Sequence, residues 1–297
     1  MKKLLVFILV LSFQNAYSQN HEITGGIGYS YYFGDLNTKH SAQAVALVGD
    51  FMDVNNFKMS YSLGYRYNFK NRFSIGLNFY HLYISGYDSD NSDAADALPR
   101  KRRNLSFQSA VNEGFVDFRI EPFRTEKRWA KDKALLSPYL GAGIGLMSFN
   151  PKTFTSSGEE VELQPLGTEG QGLAGYGDKY SRLQPVVPIS LGLKFIPKSR
   201  IFAISVDMNY NHTFTDYLDD VSTTYANPAD FQNAYQISDP AKYALVTELS
   251  DRRPPEFVNS PDIRGNKDNN DYFFTGQIKF SYFIGSSSNV FYKCCDF

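Results

Sequence analysis

Residues 57–68 read Phe-Lys-Met-Ser-Tyr-Ser-Leu-Gly-Tyr-Arg-Tyr-Asn. Bulky apolar side chains stand at Phe57, Met59, Tyr61, Leu63, Tyr65 and Tyr67. Between them lie Lys58, Ser60, Ser62, Gly64, Arg66 and Asn68. A period of two is the mark of a β-strand with one apolar and one polar face. The polar face holds Lys58 and Arg66, so it is not an ordinary protein core. The apolar face is free of charge for about ten residues, roughly what a tilted strand needs to cross a bilayer.

The same alternation recurs along the chain. It predicts strands at 22–34, 57–69, 72–84, 106–121, 137–149, 184–196, 200–213 and 271–284. Outward positions are predicted at Ile23, Ile27, Tyr29, Tyr31 and Phe33 in the first, and at Phe73, Ile75, Leu77 and Phe79 in the third. Val116, Phe118 and Ile120 play that part in the fourth, and Val187, Ile189, Leu191 and Leu193 in the sixth. In the fifth, Leu140, Ala142, Ile144 and Leu146 oppose Gly141, Gly143 and Gly145. The strand count is even. Connections after the second, fourth and sixth strands are short, and those after the first, third, fifth and seventh are long. That asymmetry is the one expected of periplasmic turns and extracellular loops. The expectation is an all-β fold: an eight-stranded antiparallel up-and-down transmembrane β-barrel with both termini in the periplasm.

Bulk properties agree. Lys2 and Lys3, the apolar run Leu4–Phe13 and the small residues Ala16 and Ser18 predict a cleaved signal peptide over 1–18. The barrel then occupies 19–285, and 286–297 form a short periplasmic tail. The chain has 297 residues, 25 Phe, 21 Tyr and a single Trp, and barrels place aromatic girdles at both membrane boundaries. A net charge of −1 gives no reason to expect nucleic acid as a partner. The rival is a soluble barrel of the lipocalin type with its faces reversed. Its solvent face would then carry Gly141, Gly143 and Gly145 in one strand, where glycine weakens pairing.

Eight strands leave an interior just wide enough for side chains. Arg66, Glu113, Asp117, Arg119, Lys194, Asp207 and Lys279 point inward and are expected to pair, because unpaired buried charge is costly. A filled lumen argues against a diffusion porin. His21, His40, His81 and His212 show no metal spacing, and no nucleophile motif accompanies them. No catalysis, metal or cofactor is therefore expected. His81 and His212 fall at strand ends, where interfacial packing is their ordinary role. Adjacent Cys294 and Cys295 either cross-link a partner or stay unpaired.

Two further groups stand out. Asp216, Asp219 and Asp220 lie within five residues; they suit either a hydrogen-bonded loop clasp or a Ca²⁺ site of oxygen ligands. The connection 122–133 is basic, with Arg124, Lys127, Arg128 and Lys131 around Trp129. It reads either as a membrane-edge turn or as a docking patch, since Trp and Arg anchor interfaces.

Five phrases are distinctive together: Gly34–Asn37 (GDLN), Arg103–Phe107 (RNLSF), Pro165–Gly172 (PLGTEGQG), Phe214–Ser222 (FTDYLDDVS) and Arg264-Gly265. In this order, over nearly the whole mature chain, they resemble the PorG-like outer-membrane proteins of the Bacteroidetes type IX secretion system. The resemblance implies a non-enzymatic barrel seated in outer-membrane lipid. It would anchor a periplasmic ring, built from a lipoprotein and its partner subunit. It favours the docking reading of the basic turn, and Cys294 and Cys295 fall outside its pattern. The alternative is a small adhesin-like barrel acting through its outer loops.

Overall fold

The computed structural model describes residues 21–36, 57–69, 72–90, 98–125, 133–257 and 263–284. The predicted signal peptide, Cys294, Cys295, Lys127, Arg128, Trp129 and Lys131 lie outside the described residues.

Among the described residues nine strands form one sheet: β1 (His21–Phe33), β2 (Lys58–Phe69), β3 (Phe73–Tyr87), β4 (Ser106–Ile120), β5 (Leu135–Phe154), β6 (Glu160–Glu162), β7 (Leu183–Ile196), β8 (Phe202–Thr213) and β9 (Tyr272–Ile284). The order β4-β3-β2-β1-β9-β8-β7-β5 is closed by pairing of β4 with β5, and every pair is antiparallel. This is the predicted eight-stranded barrel, with β6 a short addition to the far end of β5. Among the described residues three α-helices lie in the long loops: α1 (Leu98–Arg103), α2 (Pro228–Tyr235) and α3 (Pro240–Ser250). The alternation test is blind to them. The last two carry their own start signals, because Asn227 and Asp239 cap them ahead of a proline in the first turn.

The face assignment follows the predicted parity. Leu191 is 59% exposed and Ile144 71%, and an unbroken apolar belt runs round the outside. Aromatic rings gather at both edges of this belt. Tyr65, Tyr67, Phe69, Phe73 and Phe118 cluster by the short turns. Phe33, Tyr210, His212 and Tyr272 cluster by the long loops. Tyr31 and Phe33, expected on the outer face, keep that parity but are covered by each other and by Phe57 and Tyr272. His81 lies beside Asn112 and Tyr83, at 2.8 and 3.0 Å, on the outer wall.

The lumen is filled. The seven inward charges named above are each 4% exposed or less. Asp207 binds Lys279 at 2.9 Å and Arg119 at 3.4 Å. Arg119 also donates to Asp117 at 2.7 Å, and Nη2 of Arg66 lies 2.8 Å from each oxygen of the same carboxylate. Gly141 lets this happen: a Cβ there would stand 2.7 Å from Arg119 Cγ and 2.5 Å from Ser190 Oγ. Lower down, Lys194 donates to Glu22 at 3.0 Å and to Glu121 at 3.3 Å. One inward group departs from the expectation of full pairing. Glu113 is buried, yet its carboxylate oxygens make no hydrogen bond among the described residues.

Toward the long-loop end the filling changes character. Leu82, Ile84, Phe107, Met147, Phe149 and Phe273 continue the inward faces as an apolar plug, and Leu166, Leu218 and Leu249 from the loops press onto it. This explains why β3 and β5 run past their predicted ends at 84 and 149. Their last residues still have a core to pack against.

Leu191→Arg is expected to cost about 2–4 kcal/mol if the belt meets hydrocarbon. Denaturant titration of protein refolded into lipid vesicles measures it. Removing one partner of a buried pair, as in Asp207→Ala, takes from Lys279 the carboxylate 2.9 Å away and leaves Arg119 with Asp117; the expected loss is about 3–5 kcal/mol in the same titration.

Candidate functional site: a loop junction at the mouth of the barrel

Above the apolar plug, four long loops meet. They follow β1, β3, β5 and β8, and each sends one charged side chain or more into a common buried cluster. The first contributes Asp35 and the second Asp88 and Arg103. The third contributes Glu169, and the fourth Asp216, Asp219, Asp220, Arg264 and Asp271.

Arg103 ends α1 and is buried. It forks onto Asp88 through Nε and Nη2, both at 2.8 Å, a planar pairing that only a guanidinium makes. Its Nη2 also donates to the Asp35 carbonyl at 2.7 Å, and its Nη1 donates to the Arg264 carbonyl. One side chain thus ties three loops. From the other side, Arg264 ties the third loop to the fourth. It donates to Glu169 at 3.0 Å, to the Asp220 carbonyl and to the Ser250 carbonyl at 3.3 Å.

Glu169 is the main acceptor of the cluster. Besides Arg264, it accepts from the Ser222 amide at 2.8 Å, the Thr223 hydroxyl at 2.7 Å and the Thr223 amide at 3.1 Å. Its backbone position depends on the glycines around it. Gly167 and Gly170 both have left-handed φ, +71° and +85°, so the PLGTEGQG phrase makes a tight coil that aims Glu169 inward.

The three sequence-flagged aspartates occupy different places in this cluster. Asp219 accepts from the Leu36 amide at 3.2 Å and the Val221 amide at 2.9 Å, joining the first loop to the fourth. Asp220 accepts from Tyr180 at 2.7 Å and from the Thr168 hydroxyl, joining the third loop to the fourth. Asp216 is 7% exposed, and among the described residues neither of its oxygens takes a hydrogen bond of ordinary geometry. Asp271 accepts from Tyr32 at 2.7 Å and from the Leu218 amide at 2.9 Å. Among the described residues, no three carboxylate, imidazole or thiol side chains are disposed to hold one metal ion.

Arg124, flagged as a docking cation, is not at the surface. It is fully buried at the short-turn end, donates to Asn68 at 2.8 Å and lies over the Phe283 ring. It belongs to the plug formed with Glu121 and Lys194, because the chain turns back into the lumen after β4.

Sequence reasoning quoted all five phrases yet missed that they converge. Asp35, Arg103, Glu169 and Arg264 each lie inside one of them. Their charge was the available signal, though these loops carry many other charged residues. Asp88 and Asp271 sit outside the phrases, each one residue beyond a strand end.

The four aspartates of the fourth loop named above resist ionisation. Burial, with Asp35, Asp219 and Glu169 nearby, pushes Asp216 up to about 9. Burial and Asp35 push Asp219 up to about 8, and burial takes Asp220 to about 6 against the pull of Arg264. Burial also raises Asp271 well above its usual range. In an unfolded chain each titrates near 3.8. Between these limits the folded junction binds more protons, so its stability falls as pH rises. Amide protection factors in residues 214–222, corrected for the intrinsic exchange rate at each pH, are therefore expected to be higher at pH 5 than at pH 9. Asp216→Asn is expected to flatten that difference. Glu169→Ala leaves Arg264, among the described residues, with two backbone carbonyls and the Asp220 carboxylate 3.7 Å away. Limited trypsin digestion is expected to cut the loops of that variant, while the barrel keeps its heat-modifiable migration on gels.

Residues 1–168 match the family described as a domain of unknown function, DUF6089. No curated protein matches the chain in sequence. Among solved structures, it is similar to Neisserial surface protein A at 8% identity and a TM-score of 0.41, covering 90% of this chain and 98% of that one. It is similar to Ail, the attachment invasion locus protein of Yersinia pestis, at 12% identity and a TM-score of 0.35, covering 89% and 99%. The outer membrane enzyme PagL matches at 13% identity and a TM-score of 0.29, covering 89% and 99%.

Proposed function

For this chain, which belongs to the DUF6089 family, we propose the role of a bacterial outer-membrane barrel that anchors the periplasmic ring of a type IX secretion machine. The observation that carries the reading is the convergence of the five phrases. The side chains that give the resemblance are not scattered barrel positions: they build one buried junction across four loops. The apolar belt, edged by aromatics, supports placement in lipid. The filled lumen supports a holding role over a conducting one.

In this reading the cap is a rigid lid on the outer side, and the working face is the short-turn end in the periplasm. Arg124 serves the fold there. The docking side chains are then Lys127, Arg128, Trp129 and Lys131, taken from their sequence pattern. A ring built from a lipoprotein and its partner subunit would bind this basic turn through acidic and apolar side chains.

The test is the triple variant Lys127→Glu, Arg128→Glu, Lys131→Glu, purified from detergent-solubilised outer membranes. It is expected to fold and to migrate as a heat-modifiable barrel, but to lose its periplasmic co-purifying proteins. Cells carrying it are expected to secrete less. If partners and secretion are retained, this turn is not the docking surface. If wild-type protein brings down no periplasmic protein at all, the anchor reading itself fails.

A further inference from the structure

On the outer wall of the barrel, where β2, β3 and β4 run side by side, lies a groove of about 480 Å³ that the anchor role does not use. Tyr61, Leu63, Phe79 and Gly114 line its apolar part, and His81 and Asn112 its polar end. We propose that this groove seats one ester-linked membrane lipid, with an acyl chain over Gly114 and an ester carbonyl on the Asn112 amide. The proposal rests on the reading of the apolar belt as lipid-facing.

The groove sits where the belt ends on this side of the barrel. Tyr61, His81, Asn112 and Ser148 stand opposite one another across β2 to β5, a row of side chains with polar groups. On its short-turn side, Leu63, Phe79 and Leu146 are exposed and apolar. On its long-loop side the outward residues suit water: Gln108 donates to Glu160 at 2.7 Å, Lys152 to Glu160 at 2.8 Å and Arg182 to Glu162 at 3.0 Å. At Gly114, opposite Phe79, the floor is bare backbone. A Cβ there would already touch the Phe79 ring at 3.4 Å, and a longer side chain would enter the groove.

The polar end is organised as a donor. Asn112 Oδ1 lies 2.8 Å from His81 Nδ1, and His81 Nε2 lies 3.0 Å from the Tyr83 hydroxyl. A carbonyl oxygen only accepts, so Nδ1 carries the proton, and in that tautomer Nε2 accepts from Tyr83. The relay engages the oxygen of the Asn112 amide. Among the described residues its two N–H groups have no protein partner. Donors beside hydrocarbon need an acceptor that reaches them there. An ester carbonyl has lone pairs and no donor, which complements the amide, and its acyl chain matches the apolar part of the groove. A second barrel is convex and meets this wall along a line, so its surface does not follow a narrow furrow. A water-soluble ligand lacks the apolar length that the groove covers.

Native mass spectrometry tests this on the full chain in detergent, supplied with diester phosphatidylcholine or its diether analogue, which lacks the carbonyls. Wild-type protein is expected to retain a single diester lipid, and to hold the diether about fivefold less tightly, the worth of one neutral hydrogen bond. Asn112→Leu is expected to remove that preference. Gly114→Leu, which fills the groove, is expected to abolish retention of both lipids. Heat-modifiable migration checks that each variant is folded, and the wild-type comparison of the two lipids needs no variant. The proposal is overturned if wild type holds the two lipids equally, or if folded Gly114→Leu retains lipid like wild type. A stable dimer that Gly114→Leu dissociates also overturns it, in favour of a second copy. If wild-type protein fails to insert into lipid vesicles, the membrane reading falls and the seat with it; insertion without selective retention overturns the seat alone.

Discussion

Two buried guanidiniums set the architecture of the open end of this barrel. Arg103 and Arg264 lie buried where the apolar plug gives way to loops. A charge in that position is tolerated only if oxygen acceptors surround it. Here Asp88, Glu169 and several backbone carbonyls do so, drawn from loops far apart in sequence. The loops are thereby obliged to converge. Four long connections with little regular structure become one layer, because the two arginines leave them no other low-energy arrangement.

The same rule operates through the lumen at two other levels. Around Asp207 and Asp117 the charges come from the strands themselves, and at the short-turn end Lys194, Glu22, Glu121 and Arg124 repeat the solution. Between the upper and middle levels sits an apolar layer that needs no pairing. The interior is thus stratified. Each charged stratum restricts which residues can stand opposite one another, and so fixes strand register from within. A one-residue slip of β9 would carry Lys279 from Asp207 to the outer face.

Most of the barrel was legible because a period of two is a strong signal and eight copies reinforce one another. Even the outward parity of Leu191 and the inward parity of Asp207 could be read directly. The loop layer was harder. Asp219 and Asp220 were visible as acids, but their partners, Leu36, Thr168 and Tyr180, are remote in sequence and follow no spacing rule. Glu169 escaped notice because its importance rests on two left-handed glycines, which a sequence shows only as a turn. Arg124 was misplaced because charge composition favours the surface, whereas the chain after β4 folds back under the barrel. Helices α2 and α3 announced themselves only through capping residues, a short signal inside a long polar stretch.

The seam between β1 and β9 has a consequence for biogenesis. It joins residues 21–33 to residues 272–284, nearly the full length of the chain. No earlier strand can substitute, since β9 alone supplies Lys279 to Asp207 and pairs both free edges. A nascent polypeptide halted before Tyr272 would keep β1 and β8 as open edges, ready to recruit a foreign strand. Such a contact order makes closure the slow, final step of assembly. A cell could thus screen for completeness through the last thirteen residues of the sheet.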